Sequence, residues 1–428
     1  MTEQRVTIRQ AVILAGGRGS RLGALTDATA KPVLDVGERP FLYWPMRELQ
    51  RFGVERFVVL TGHAAPVAEA ALRAVAAALP RPATLDFVRE DTPRGTGGAL
   101  REAAARLDAR FLLLNGDTLF DCNLARLLRA AAAQPEAVFM HMLLRDAPAG
   151  ARYGVVTTDG ARVTAFAERP AGGADGGLIN AGIYVVDRRV VAGIPPGASL
   201  ERDVLPHLAA SGRLYGTRAE GWFVDIGTPP DLVRARAELP ARLRRRALIL
   251  DRDGVLNLDH GYVGTRDRWD WVEGAREATA AATAAGWHVF VATNQSGIAR
   301  GMYDEAAFAT LQDWVADRLR AAGGTIDDWR YCPFHPDAAV TRYRADSDRR
   351  KPAPGMLLDL MRAWELSPAD CVMIGDQPTD MAAAAAAGIA GHRFPGGRLD
   401  DFLAPIIAPA TPGLPPPRPD AKVRPPSP

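Results

Sequence analysis

Cysteine is scarce in this chain, and the few cysteines are far apart. Cys122, Cys332 and Cys371 are the three cysteines among 428 residues. A small scaffold stapled by disulfides is therefore excluded, and we expect free thiols in a reducing compartment. No apolar run approaches the roughly 20 residues that a membrane helix needs, and no hydrophobic leader follows Met1. These absences predict a cytoplasmic protein without a membrane anchor.

A strong excess of charge of one sign is also missing. The net charge is +2, so it gives no reason to expect nucleic acid or a membrane surface as a partner. Hydrophobic residues make up 47% of the chain, which is enough to bury substantial cores. The length suits two domains, and the sequence leaves self-association into a homo-oligomer open. A Pro-rich tail over residues 403–428 lacks periodicity and is predicted to be disordered.

The basic run of residues 241–246 divides the chain. Four of these residues are arginines, but so short a run between two folded units is typical of a solvated linker rather than of a nucleic-acid site. A helix is predicted over residues 231–239, and Pro240 is expected to end it. The two domains are therefore predicted over residues 1–240 and 247–402.

The first half opens with a short apolar strand that enters a glycine-rich loop. The strand is predicted over residues 10–15, and the loop reads GGRGSRL over residues 16–22. Glycines allow the backbone to approach a phosphate chain, whose charge N–H groups and arginine side chains can bind. Taken alone, such a loop also suits an ordinary strand-to-helix turn. The phosphate-binding candidates are Gly16, Gly17, Arg18, Gly19 and Arg21.

Further polar groups follow other predicted strands of the first half. A second glycine loop opens a helix at residues 95–98, and Lys31 lies in a loop. Asp117 ends one apolar strand, and Asp225 follows another. Two glycine loops with two strand-end carboxylates suit a nucleotide bound with Mg²⁺, which takes carboxylate and phosphate oxygens as ligands. The further candidates in this half are Glu90, Gly95, Thr96, Gly97, Gly98 and Asn115.

The order of these motifs resembles the sugar-1-phosphate nucleotidyltransferases. AGGRGSRL, KP, GTGGAL, NGD, NAGIYV and DIGTP follow one another in the sequence. The resemblance implies a Rossmann-like domain with a mixed sheet, in which Arg21 and Lys31 bind phosphates and Gly97 with its neighbours contacts the base or ribose. It also implies that Asp117 and Asp225 hold Mg²⁺. The residues that it places against the sugar are Glu168, in the segment Glu168-Arg169-Pro170, and Asn180.

Within this family, the combination of GTGG and NGDT is most similar to the enzymes that guanylylate D-glycero-D-manno-heptose 1-phosphate or mannose 1-phosphate. The resemblance covers residues 10–239. It implies that a sugar-phosphate oxygen attacks the α-phosphorus of a nucleoside triphosphate, with GTP favoured. Pyrophosphate leaves without a covalent enzyme intermediate. The base, the sugar and its anomer stay open at this point.

The second half contains the stretch ALILDRDG, in which a buried strand ends in two carboxylates, Asp251 and Asp253. Active sites of open α/β sheets lie at such carboxyl ends. Two further predicted strands end near Thr293 and Asp376, and Lys351 lies in a loop. We therefore expect these residues to form one site.

This order of residues resembles the haloacid dehalogenase phosphohydrolases with a minimal cap. The resemblance implies that Asp251 forms an aspartyl-phosphate and that Asp253 first protonates the leaving oxygen and then activates water. It also implies that Thr293 hydrogen-bonds the phosphoryl group and that Lys351 compensates negative charge. Mg²⁺ would be bound by Asp251, the carbonyl of Asp253 and Asp376.

Four segments of this half are similar to the D-glycero-D-manno-heptose 1,7-bisphosphate 7-phosphatases, which are histidinol-phosphatase-like. These segments are DRDGVLN, TNQSGIARG, CPFHP and RKPAPG. The resemblance implies that Arg350 contacts the distal end of the substrate. It also implies that Asn294 and Gln295 lie in the substrate site.

A structural zinc ion is usual in that family, in the loop before Arg-Lys-Pro. The four ligand positions hold Cys332, Phe334, Ser347 and Arg349 here, and His335 beside Cys332 cannot complete a four-ligand site. We therefore expect no zinc and predict that packing holds this loop.

The two resemblances describe consecutive reactions. Removal of the 7-phosphate from heptose 1,7-bisphosphate yields heptose 1-phosphate, which accepts the guanylyl group in the second reaction. The link rests on family analogy for both substrates. Two alternatives stay open. One is a nucleotidyltransferase for another hexose 1-phosphate, such as mannose or glucose 1-phosphate, fused to a histidinol-phosphate-type phosphatase. The other is a chain in which one half is a regulatory module without turnover.

Overall fold

The computed structural model describes residues 8–147, 154–168 and 177–408. The chain divides into two compact units, Met1–Arg244 and Arg245–Pro428. Among the described residues, none of the helices combines the length and the apolar character that crossing a membrane requires.

The first unit is a mixed α/β fold. Its strands are β1 (Gln10–Leu14), β2 (Asp35–Val36), β3 (Arg39–Pro40), β4 (Arg56–Thr61), β5 (Thr84–Arg89), β6 (Arg110–Asn115), β7 (Thr118–Asp121), β8 (Met140–Ala147), β9 (Val155–Asp159), β10 (Arg162–Ala167), β11 (Gly177–Asp187), β12 (Leu214–Arg218) and β13 (Trp222–Asp225). Its α-helices are α1 (Tyr43–Arg51), α2 (Ala65–Ala78), α3 (Gly95–Glu102), α4 (Leu124–Ala132), α5 (Leu205–Ala210) and α6 (Pro229–Arg242).

The large sheet of this unit has the strand order β5-β4-β1-β6-β11-β8-β12-β10-β9. β1 pairs in parallel with β4 and β6, whereas β11 is antiparallel to β6 and β8. Val12 packs in the core on one face of the sheet and Ile13 in the core on the other. A central strand buried on both faces reads as a continuous apolar run. The predicted mixed sheet is confirmed, and the carboxyl ends of β1, β4 and β6 meet at one edge.

Helix α6 continues through Pro240, so the helix end predicted at this residue is wrong. Leu243, just beyond the helix, is fully buried. Apolar contacts at helical spacing on both sides of Pro240 outweigh the hydrogen bond that a proline removes. The buried residues within the helix are Leu232, Ala235 and Leu239.

The second unit is an α/β fold with a single five-stranded sheet among its described residues. Its strands are β14 (Ala247–Leu250), β15 (His288–Asn294), β16 (Asp328–Cys332), β17 (Cys371–Gly375) and β18 (Ala390–Arg393). Its helices are α7 (Ala275–Ala284), α8 (Ser296–Ala299), α9 (Glu305–Ala322), α10 (Gly355–Ala363), α11 (Pro378–Ala386) and α12 (Leu399–Ile407).

The five strands are all parallel, in the order β16-β15-β14-β17-β18. On one face of β14, Leu248 and Leu250 pack with α7, α9 and α12. On the other face, Ala247 and Ile249 pack with α10 and α11. Residues 251–274 connect β14 to α7 and contain one short 3-10 helix, Arg266–Arg268. The predicted α/β class with two domains is confirmed.

Helix α12 crosses residue 402, where the second domain was predicted to end. Leu403 and Ile407 are buried in the same core as one face of β14, and Pro405 lies within the helix. The predicted tail therefore begins too early, because buried apolar residues at helical spacing extend the fold beyond residue 402. The rest of the tail predicted to be disordered, residues 409–428, lies outside the described residues.

Candidate active sites

A cavity of about 330 Å³ opens at the carboxyl ends of β1, β4 and β6. Gly16 and Gly17 follow β1, and a side chain at Gly16 would collide with the Glu90 carboxylate. Burial raises the pKa of Glu90, so this carboxyl group gives up its proton less readily than an exposed one. The predicted residues that line this cavity are Gly16, Gly17, Lys31, Glu90, Gly95, Thr96, Asn115 and Asp117.

A second cavity, of about 210 Å³, adjoins the first. The two share Asn115, Asp117 and Glu201 in their linings. The shared residues mean that ligands in the two cavities would meet at Asp117. The predicted residues that line the second cavity are Arg21, Asn115, Asp117, Glu168, Asn180 and Asp225.

Asn180 is already hydrogen-bonded at both ends of its amide. Its Nδ2 donates to the Tyr184 hydroxyl at 2.5 Å, and its Oδ1 accepts from the Gly182 N–H at 2.9 Å. The amide is therefore fixed in the wall of the second cavity. Arg169 and Pro170, in the segment predicted to contact the sugar, lie outside the described residues.

Asp117 and Asp225 are brought together by β7 and β13. These strands pair in antiparallel fashion with Asp225 opposite Thr118, and the Ile226 N–H donates to the Asp117 carbonyl at 2.9 Å. Lys31 forms an ion pair with Asp117. Burial, and then the charge of Asp117, raise the pKa of Asp225. Two neighbouring carboxylates, with the charge of Asp117 opposing the ionisation of Asp225, are a donor set that suits a divalent cation.

Some predicted site residues of the first unit lie outside the linings of the two cavities. Gly97 and Gly98 both donate their N–H groups to the Ala198 carbonyl, at 2.9 and 3.1 Å. Gly19 adopts the left-handed conformation, with φ of 63°, which glycine tolerates best. These three glycines and Arg18 are not among the residues that line the two cavities.

Glu201 is a residue of this site that the sequence did not reveal. It lines both cavities, and its Oε2 accepts from the Thr96 hydroxyl at 2.9 Å. The Thr96 hydroxyl oxygen in turn accepts from the Leu200 N–H at 2.7 Å. Glu201 and Thr96 are 105 residues apart, so only the folded chain brings them together.

Three strand ends of the second sheet meet around Asp251. Leu250 is paired with Val291 of β15 and with Ile374 of β17. The Asp251 N–H donates to the Ile374 carbonyl at 2.8 Å, which continues the ladder by one residue. The predicted side chains that this register gathers at one edge are Asp251, Thr293 and Asp376.

Lys351 lies between two buried carboxylates. Its Nζ is 2.8 Å from Asp251 Oδ1 and 2.6 Å from Asp380 Oδ1. Burial raises the pKa of Asp251 to about 7, although the Lys351 charge lowers it. Burial lowers the pKa of Lys351, but the charges of Asp251 and Asp380 outweigh this effect and raise it. The lysine is therefore held as a cation beside Asp251.

Asp380 was not predicted as a ligand, yet it belongs to this cluster. It is fully buried, and its Oδ2 accepts from the Gln377 N–H at 3.0 Å at the start of α11. Carboxylate oxygens of Asp251, Asp376 and Asp380 all lie within 4.8 Å of one another. Three carboxylates suit a hard divalent cation such as Mg²⁺. The spacing of Asp376 and Asp380 across a helix start was the signal that could have revealed it.

Three side chains orient the carboxylate of Asp253. Arg252 Nη2 lies 2.6 Å from its Oδ1, Asn257 Nδ2 donates to the same oxygen at 2.9 Å, and Gln295 Nε2 donates to Oδ2 at 3.1 Å. Arg252 is 1% exposed, and its Nη2 also donates to the Val263 carbonyl at 2.6 Å. The position of Asp253 is therefore set by the protein itself.

Asn294 forms two hydrogen bonds to the backbone of the loop that carries Lys351. Its Nδ2 donates to the Lys351 carbonyl and its Oδ1 accepts from the Lys351 N–H, both at 3.0 Å. Arg350 Nη1 lies 3.4 Å from the Phe334 carbonyl oxygen. Both residues were predicted to contact substrate. The structure places Asn294 against the loop that carries Lys351 and Arg350 within that loop.

Packing and ion-pair contacts surround the positions at which the family resemblance would place zinc ligands. The Phe334 ring packs edge-on against the Tyr343 ring, with centroids 5.9 Å apart. Arg349 forms an ion pair with Asp359 at 2.5 Å. Cys332 is buried, with its Sγ 3.9 Å from the Phe334 carbonyl oxygen.

The two folds and their sites define an enzyme with a nucleotidyl-transferring unit and a phosphohydrolase unit. Residues 10–242 match the nucleotidyl transferase family, and residues 153–388 match the haloacid dehalogenase-like hydrolase family. Each match spans more than half of the 428 residues. The chain therefore belongs to both families, as the sequence predicted.

Relatives of the second unit are phosphatases. The D-glycero-beta-D-manno-heptose-1,7-bisphosphate 7-phosphatase of Rhodopseudomonas palustris is 45% identical over 164 residues, which cover 38% of this chain and 91% of that protein. The D-glycero-alpha-D-manno-heptose-1,7-bisphosphate 7-phosphatase of Burkholderia mallei is 40% identical over 147 residues, or 34% of this chain and 78% of that protein. Among solved structures, HddC from Yersinia pseudotuberculosis is 27% identical, with a TM-score of 0.47, over 54% of this chain and 100% of that chain.

Proposed function

We propose that this chain carries out two consecutive reactions of nucleotide-sugar formation. The second unit removes the 7-phosphate from D-glycero-D-manno-heptose 1,7-bisphosphate, and the first transfers GMP from GTP to heptose 1-phosphate. The observation that carries the proposal is the buried Asp251–Lys351 pair within a cluster of strand-end carboxylates. It lies in a unit whose relatives are named for that bisphosphate.

In the second unit, Asp251 is placed to act as the nucleophile. One of its oxygens bonds to phosphorus as the bond from phosphorus to the C7 oxygen breaks, and Asp253 gives that oxygen a proton. Water then attacks the phosphorus of the aspartyl-phosphate and passes a proton to Asp253 as the bond from phosphorus to the Asp251 oxygen breaks, which releases inorganic phosphate and restores the Asp251 carboxylate. Lys351 offsets the negative charge, and the Thr293 hydroxyl donates to the phosphoryl group.

Mg²⁺ fits the cluster of carboxylates that includes the nucleophile Asp251. Asp251, Asp376 and Asp380 supply oxygens within 4.8 Å of one another, and Mg²⁺ prefers oxygen ligands. We infer that these carboxylates and the Asp253 carbonyl hold the ion, which would neutralise charge on the phosphoryl group. Burial opposes ionisation of Asp251, and the Lys351 cation favours it.

In the first unit, the two cavities suit two anionic substrates. We infer that the larger cavity takes the triphosphate and the smaller one takes the sugar phosphate, because Glu168 and Asn180 line the smaller one. A sugar-phosphate oxygen attacks the α-phosphorus, and the bond to the leaving pyrophosphate breaks. Lys31 and Arg21 bind phosphate charge. Mg²⁺ fits the carboxylates of Asp117 and Asp225, where it would neutralise charge on the phosphates.

The joining of the two units supports the pairing of substrates. The phosphatase product, heptose 1-phosphate, is the acceptor that the transferase needs. The preference for GTP rests on the GTGG and NGDT segments of the first unit. We place the reactions in the cytoplasm, where nucleoside triphosphates are made, with no nucleic-acid or membrane partner.

A panel of substrates tests the transferase half of the proposal. The full chain is incubated with Mg²⁺, heptose 1-phosphate and, in turn, GTP, ATP, CTP and dTTP, and pyrophosphate release is measured. We expect kcat/KM with GTP to exceed that with each other triphosphate by at least about tenfold. Mannose 1-phosphate and glucose 1-phosphate serve as competing acceptors, and faster turnover of either one would show that the acceptor is wrong.

A further inference from the structure

The Gln295 side chain joins three polar groups of the phosphatase unit. It is 1% exposed. Its Nε2 donates to Thr293 Oγ1 at 2.7 Å and to Asp253 Oδ2 at 3.1 Å. Its Oε1 accepts from the Tyr303 hydroxyl at 2.6 Å. One amide therefore touches both the proton-transferring carboxylate and the hydroxyl that faces the phosphoryl group.

The direction of this amide matters for both partners. Asp253 Oδ2 accepts from Arg252 Nη2 at 2.8 Å and from Gln295 Nε2 at 3.1 Å. A rotated amide would turn Gln295 Oε1, which can only accept, toward this oxygen, and the hydrogen bond would be lost. In the observed direction, Thr293 Oγ1 accepts from the amide. Its own hydroxyl proton is then free to point to a phosphoryl oxygen. The amide must therefore present its NH₂ group to the site.

Tyr303 favours this orientation of the Gln295 amide through a hydrogen bond to the amide oxygen. Its hydroxyl donates to Gln295 Oε1, and burial raises the pKa of Tyr303 to about 12, so the hydroxyl keeps its proton. The ring is held between Gly264 and Gly297, because a Cβ at either glycine would overlap it. The donor is thus fixed in place by tight packing on both sides.

We propose that Tyr303 is a positioning residue of the phosphatase site, acting through Gln295 to hold Asp253 in its working orientation. The proposal rests on the proposed function, since it takes Asp253 as the proton donor to the leaving oxygen. Tyr303 acts on the rate of proton transfer and not on substrate affinity.

Replacement Tyr303→Phe tests the proposal, because it keeps the ring between the two glycines and removes only the hydroxyl. Heptose bisphosphate has an alkoxide leaving group that needs a proton, whereas p-nitrophenyl phosphate has a leaving group that needs little help. We expect kcat for the heptose bisphosphate to fall by roughly tenfold, with KM nearly unchanged and a smaller loss for the aryl phosphate. The quantity to measure is the ratio of kcat for the heptose bisphosphate to kcat for p-nitrophenyl phosphate.

Matched variants separate positioning from general damage. Tyr331→Phe removes another tyrosine hydroxyl of the same unit, which donates to Glu305 at 3.2 Å, and it should leave the ratio unchanged. Pyrophosphate release by the first unit gives the amount of chain in each preparation, and hydrolysis of the aryl phosphate reports that the second unit is folded. Gln295→Glu keeps the Tyr303 hydrogen bond but sets a carboxylate against Asp253. It should lower the ratio at least as much as Tyr303→Phe does.

The outcomes distinguish this proposal from the function on which it rests. Asp253→Asn must lower the ratio of sugar-phosphate to aryl-phosphate hydrolysis, and an unchanged ratio there would overturn the acid role itself. If Asp253→Asn lowers the ratio but Tyr303→Phe and Gln295→Glu slow both substrates equally, Tyr303 has a purely structural role and the positioning proposal fails.

Discussion

Replacement of Asp251 by Asn is expected to abolish phosphate release while pyrophosphate release continues at its full rate. An amide oxygen is a poor nucleophile, so the aspartyl-phosphate cannot form. The loss should be at least about 10³-fold in kcat. The measurement is phosphate release from heptose 1,7-bisphosphate, with pyrophosphate release from GTP and heptose 1-phosphate followed in the same preparation.

The matched control for this variant is Asp313→Asn, on the exposed side of α9. It makes the same chemical change in the same unit, away from the strand ends, and should keep full phosphatase activity. Substantial phosphate release by the Asp251→Asn variant would mean that another group is the nucleophile.

Replacement of Asp117 by Ala is expected to have the reciprocal effect. Asp117 pairs with Lys31, lies beside Asp225 through the pairing of β7 with β13, and lines both cavities. Its loss removes a carboxylate where the two cavities adjoin, at the proposed meeting point of the two substrates. We expect kcat for pyrophosphate release to fall by at least about 10²-fold, with phosphatase activity unchanged.

Asp86→Ala, on an exposed position of edge strand β5, is the control for Asp117→Ala. It removes a carboxylate from the same unit without touching either cavity. Should Asp117→Ala retain full transferase activity, the assignment of the metal-binding pair in the first unit would have to be abandoned. A parallel loss of phosphatase activity would instead indicate general damage to the chain.

The parts of the sites that lie at the ends of apolar strands could be predicted from the sequence. Asp251 and Asp376 each follow a buried strand, Thr293 lies next to the last residue of another, and parallel pairing fixes which strand ends are neighbours. A short apolar run and the polar residue after it therefore carry both the fold and the position of the site.

The remaining site residues depend on how distant segments pack. Glu201 reaches the first site only because the chain returns to α3, and Asp380 reaches the second because α11 starts beside Lys351. Residue type was also a poor guide to the role of a polar side chain where that side chain hydrogen-bonds to backbone groups. Asn294, for example, bonds the backbone of Lys351 on both sides.

Element ends were the least predictable part of the fold. Pro240 marked a helix end in the sequence, and the Pro-rich composition near Pro405 suggested a disordered tail. In both places buried apolar residues at helical spacing extend the helix, because packing against the core outweighs the local preference of proline.

The most direct test follows phosphorus by NMR in a single tube that contains the full chain, Mg²⁺, heptose 1,7-bisphosphate and GTP. We expect inorganic phosphate and heptose 1-phosphate to appear first, followed by pyrophosphate and a GDP-heptose in equal amounts. With Asp251→Asn, the same tube should form no inorganic phosphate. Pyrophosphate and GDP-heptose should appear only after heptose 1-phosphate is added. Faster phosphate release from histidinol phosphate than from the heptose bisphosphate, or phosphate release without any GDP-heptose, would contradict the joining of these two reactions in one chain.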